Sequence, residues 1–115
     1  RDSNRTERYD EAYELIVRAL ELQPDEPAIL DSMGWILYRK GDYTEALDYL
    51  SRAYAVFPDP EVAAHLGEVL WVSGDTEGAT RIWQGALTKD PDHKVLVSTL
   101  KRLGVTDLVS PGKGH

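Results

Sequence analysis

The sequence contains no cysteine, which excludes disulfides, thiolate metal ligands and a cysteine nucleophile while leaving the compartment open. No apolar run approaches the roughly 18–20 residues of a membrane span. The opening Arg1-Asp2-Ser3-Asn4-Arg5 is polar and has no signal-peptide core. Basic residues are in deficit, with 13 Lys and Arg against 20 Asp and Glu for a formal charge of −7. Phosphate backbones are bound by clustered cations, so this balance argues against nucleic acid as the main partner. Acidity favours basic or neutral partners, and also serves plain solubility.

Catalytic constellations are missing too. His65, His93 and His115 share no metal-ligand spacing, and no His-Glu-x-x-His element occurs. Pro111-Gly-Lys-Gly114 lacks the first glycine and the Ser/Thr of a phosphate loop, with no strand before it. Ser32 and Ser73 have no base positioned by sequence. The expectation is a non-enzyme with no cofactor and no metal.

What the chain does have is a period. Ala12, Ala19 and Pro24 return as Ala46, Ala53 and Pro58, and return again as Ala79, Ala86 and Pro91. Gly34, Leu37 and Gly41 likewise return as Gly67, Leu70 and Gly74. A repeat of roughly 34 residues is the mark of a stacked helical array. Within one unit Leu30, Met33, Gly34 and Leu37 fall at i, i+3, i+4 and i+7, one face of a helix. A second helix then turns Ala46, Leu50 and Ala53 inward, and its successor turns Ala79, Trp83 and Ala86 inward. A glycine inside a helix costs about 1 kcal/mol relative to alanine, so its return at Gly67 implies close packing.

The punctuation agrees. Gly41 and Gly74 suit helix C-termini that need a left-handed residue. Pro27 and Pro60 suit first turns, where the missing N–H is not needed. Asp42 with Glu45 has the spacing of a capping box. These signals predict helices over residues 8–22, 27–40, 43–56, 60–73, 76–89 and 93–103.

The spaced residues Leu30, Met33-Gly34, Leu37, Ala46, Leu50, Ala53 and Pro58 resemble a tetratricopeptide repeat, as do Ala63, Leu66-Gly67, Leu70, Ala79, Trp83, Ala86 and Pro91. The resemblance implies an all-α fold of helix–turn–helix repeats stacked in a right-handed superhelix. Its repeat domain spans residues 1–105: the second helix of an incomplete repeat at 8–26, full repeats at 27–59 and 60–92, and a capping helix at 93–103 built on Val95, Leu96, Leu100 and Leu103. Residues 106–115 are expected to be a flexible tail. The runs Ala28–Trp35 and Phe57–Trp71 are similar to the C-terminal end of long repeat proteins of Gram-negative bacteria, several of them like exported envelope lipoproteins. That likeness favours the periplasm or outer membrane over the cytoplasm.

In such repeats the concave wall comes from the first helix of each pair. Its positions here are Ala28, Asp31, Trp35, Tyr38 and Arg39 in one unit, and Glu61, Ala64, Glu68, Trp71 and Val72 in the next. The resemblance makes Asp31, Trp35, Tyr38, Arg39, Glu61, Ala64, Glu68 and Trp71 the candidate partner-binding residues, with Tyr38 and Trp71 as neighbouring anchors. Some members grip a carboxylate with Lys, Asn and Arg on this wall; Asp31, Trp35, Ala64 and Glu68 would repel one. The expected ligand is therefore a protein or extended peptide with apolar and basic side chains. Two alternatives stand beside it. One is self-association, including a homodimer through the Tyr9, Ala12, Ile16 and Ala19 face of the incomplete repeat. The other is an accessory role in a larger enzyme.

Overall fold

The computed structural model describes residues 2–109, with side chains from Arg8 onward. It is all-α, with no strand among the described residues, and divides into two compact units, Arg1–Phe57 and Pro58–His115.

The first unit holds α1 (Asp2–Leu22), α2 (Pro27–Lys40) and α3 (Tyr43–Val56). Leu30, Met33 and Leu37 of α2 are buried with Ala46, Leu50 and Ala53 of α3, which are the inward residues read from the periodicity. Gly34 is the close point of this hairpin. A Cβ built there would stand 2.5 Å from Leu50 Cγ, so the leucine fills the volume that a larger residue on α2 would need. The expected bounds of α2 and α3 hold. Helix α1 starts at Asp2 rather than residue 8; its polar, charged first turns carry no apolar face from which a periodicity reading could see them.

The second unit holds α4 (Pro60–Ser73), α5 (Thr76–Lys89), α6 (Lys94–Leu103) and α7 (Thr106–Val109). Trp83 has no exposed surface and takes the place that Leu50 has in the first unit. It presses its indole edge on Gly67, where a Cβ would fall 2.1 Å from Nε1. That Nε1 is buried without a hydrogen-bond partner, a defect of about 1–3 kcal/mol set against burial of an entire indole.

Helix ends follow one device. At Gly41 (φ 94°) and Gly74 (φ 109°) the chain turns left-handed. Asp42 N then donates to Leu37 O (2.8 Å), and Asp75 N to Leu70 O (2.9 Å). These are Schellman closures, which capture carbonyls the helix leaves open. The helix starts differ. Asp75 Oδ1 accepts from Gly78 N at 2.9 Å, whereas Asp42 makes no such bond, so the capping box expected with Glu45 is not formed. The two aspartates have nearly the same backbone angles. The difference lies three residues on: a Cβ at Gly78 would meet Asp75 Oδ2 at 2.6 Å, and Glu45 has that Cβ.

Helix α6 begins at Lys94, and His93 caps it by accepting from Leu96 N. Thr106–Val109, expected within the flexible tail, instead form the short helix α7, because Val105 and Val109 are both buried. Residues 110–115 of that expected tail lie outside the described residues. No described helix is long and apolar enough to cross a membrane.

Candidate functional site

In the first unit the expected wall residues Asp31, Trp35 and Tyr38 are half-buried on α2. Trp35 and Tyr38, one turn apart, have ring centroids 5.0 Å apart and tilted by 42°. The Gly41 turn then carries Tyr43 back toward them, 5.6 Å from the Tyr38 ring. Tilted aromatic contacts in this range are favourable beyond the area they bury. The result is a partly exposed cluster of three rings, of which sequence reasoning named two; Tyr43 belongs to the next helix and is joined only by the turn.

Arg39, also assigned to the wall, is exposed but engaged by α1. Its Nε donates to Tyr9 Oη at 3.1 Å, and its guanidinium lies 5.9 Å from the Tyr9 ring centroid. Beside it Lys40 pairs with Asp10 and stands 5.0 Å from the centre of the Tyr13 ring. The hydrogen bond to Asp10 raises the Lys40 pKa above its ordinary 10.5, against a smaller opposing effect of burial. Both cations at the end of α2 therefore hold α1 in place. The Tyr9 face expected to lack a cover is partly met by its own neighbour helix.

In the second unit the four expected positions separate. Glu61 is exposed and Trp71 is half-buried, but Ala64 has no exposed surface and cannot meet a ligand. Glu68 is 2% exposed. Arg102 of α6 reaches it with two bonds, Nη2 to Oε1 at 2.6 Å and Nη1 to Oε2 at 3.2 Å. The fork geometry is that of a bidentate guanidinium–carboxylate pair. Glu68 is thus a structural anchor for α6 rather than a charge offered to a ligand. Arg102 was missed although it lies one full period beyond Glu68, where the repeat already marks a wall position. Trp71 leans on Trp83, with centroids 5.9 Å apart.

His65 is half-buried on α4, and His93 is the N-terminal cap of α6. His115 lies outside the described residues. Among the described residues no group of three or more His, Asp or Glu side chains could hold a metal ion.

Paired helices closed on Gly34 and Gly67, with the same turn after each first helix, are the geometry a tetratricopeptide unit demands. Residues 32–94 match a family model described as tetratricopeptide repeat, and residues 3–59 match a second one. The chain belongs to the tetratricopeptide repeat family. It is 61% identical, over 66 residues, to the TPR repeat-containing protein PA4667 of Pseudomonas aeruginosa; the match covers 57% of this chain and 11% of that protein. It is 27% identical to the protein O-mannosyl-transferase TMTC1 of Mus musculus, over 87% of this chain and 11% of that protein. The chain thus spans about a ninth of the length of each of these relatives. A thermophilic TPR protein of Thermus thermophilus (TTC0263) shares the fold, with a TM-score of 0.73 at 22% identity, over 83% of this chain and 50% of that one. Tetratricopeptide repeats generally mediate contacts between proteins and are typically non-catalytic.

Proposed function

We propose that this tetratricopeptide chain is a non-catalytic scaffold module that binds a protein segment or extended peptide at the wall face of a first helix, α2. The segment carries apolar and basic side chains. One observation carries this reading: the partly exposed Trp35–Tyr38–Tyr43 cluster, two of whose rings share helix α2 with the carboxylate of Asp31. Aromatic anchors in such clusters dominate the energetics of many interfaces. The net charge of −7 favours approach of a basic segment.

Binding of labelled extended peptides, measured by fluorescence polarisation, tests the assignment. Trp35→Ala and Tyr38→Ala are each expected to weaken an apolar-basic peptide by about 2 kcal/mol, roughly thirtyfold. Unchanged affinity in both variants would remove the wall from the site.

A second reading is self-association through α1, where Leu15 is 67% and Leu22 is 83% exposed. Sedimentation velocity over a wide concentration series is expected to show a dimer that Leu15→Asp disperses. A strictly monomeric wild-type chain would end that reading.

A further inference from the structure

We propose a second docking site in the unit Pro58–His115, formed by Trp71, the outer face of α5 and the short helix α7, for a partner segment with one large apolar side chain flanked by Lys or Arg. It takes up Trp71, one of the expected wall positions, but it neither needs nor implies binding at α2. The site is an open recess of about 530 Å³. Two apolar groups border it: the half-buried indole of Trp71 and Leu108, which is 60% exposed. Leu108 stands out because Val105 and Val109 on the same short segment are buried. The core holds α7 by Val109 and by Val105 just before it, and the leucine is presented outward.

The rest of the lining is adaptable and polar. Thr80 Oγ1 already donates to Thr76 O at 2.8 Å, so that hydroxyl has acceptor capacity left for a peptide N–H. Gln84 adds an exposed amide that can donate and accept. No buried polar group is fixed in the lining, which is what a small metabolite needs for orientation; a side chain with its adjoining backbone asks only for an apolar seat and hydrogen-bonding edges.

Charge selects the occupant. Glu77 and Arg81 line the recess, and Asp75 and Asp107, the chain neighbours of lining residues Thr76 and Leu108, are exposed. The lining itself carries one charge of each sign, and the exposed carboxylates of Asp75 and Asp107 next along the chain tip the surroundings toward negative, complementary to cations flanking the apolar residue.

The test uses the 115-residue chain, isotope-labelled for amide shift mapping, and the probe peptide Gly-Lys-Lys-Phe-Lys-Lys-Gly. Two further peptides replace Phe by Ser or every Lys by Glu. The probe is expected to shift the amides of residues 76–84 and 106–109, and both altered peptides to bind at least tenfold more weakly. Leu108→Ser and Gln84→Lys, each at an exposed position, should weaken the probe at least fivefold as read from the shifts of residues 76–84 and 106–109, while Trp35→Ala leaves those shifts unchanged. Shifts confined to residues 28–39 would overturn this site while supporting the wall. Equal binding of the Ser peptide would reduce it to general charge attraction and overturn it. If removal of residues 110–115 alone tightened the probe tenfold, the recess would be the seat of that segment, and the partner assignment would fall.

Discussion

Gly67→Ala is expected to destabilise the protein by about 3 kcal/mol, although alanine is the better helix former by about 1 kcal/mol. The added methyl would sit 2.1 Å from Trp83 Nε1 and within 2.6 Å of two further indole atoms, where contact distances of about 3.5 Å are required. The indole is rigid and wholly buried, so relief comes only by moving α4 away from α5. Gly34→Ala sets the same methyl against Leu50, 2.5 Å from Cγ, but a leucine can change rotamer. Its cost should be clearly smaller, about 1–2 kcal/mol. Urea unfolding followed by circular dichroism measures both. Trp83→Leu, which installs the side chain used in the first unit, should recover much of the loss in the Gly67→Ala background, a coupling of about 1–2 kcal/mol. Equal costs at the two glycines would disprove the claim that ring rigidity makes the difference.

Breaking the Glu68–Arg102 pair is expected to have the next largest effect, and an asymmetric one. The Glu68 side chain is 3% exposed and that of Arg102 is 55% exposed. Arg102→Ala takes both guanidinium bonds from a buried carboxylate and should cost about 2 kcal/mol, below the full range for a buried pair because one partner is already half in water. Glu68→Leu leaves behind only a cation with ready access to solvent. It should cost less than half as much, and the double substitution Glu68→Leu with Arg102→Leu should be close to neutral. Amide hydrogen exchange locates the effect: in Arg102→Ala protection should fall in α6 and α7 while α2 and α3 keep theirs. Uniform loss of protection would mean that the pair does not specifically anchor α6.

The two effects differ in how far they could be read in advance. Gly67 and Trp83 were both legible, since a recurring glycine inside a helix, opposite a large inward residue, implies that the two helices touch there. The pairing of Glu68 was not: a glutamate on a helix face is most often solvated, and only the arrival of α6 converts this one into a buried anchor. That helix thus removes Glu68 from the candidate site, as α1 engages Arg39. Wall positions were assigned by register, which gives direction around a helix but not what lies opposite. Asp31, Trp35 and Tyr38 remain accessible at such positions, while Arg39 is held by Tyr9 and Glu68 by Arg102. Asp42 and Asp75 show the same thing at smaller scale. They occupy equivalent places with equivalent backbones, and a single Cβ three residues later decides which one caps its helix.

The helices, their pairing and the aromatic character of α2 follow from local pattern alone, because a sustained period with glycine and proline at its joints constrains the backbone residue by residue. Folding settled the rest: which charges are used up internally, that residues 105–109 dock on the core through Val105 and Val109, and that Leu108 and Trp71 frame a recess. These outcomes depend on which side chains meet across elements far apart in the chain. A local pattern specifies a residue's face, but burial and pairing are properties of both faces that come together.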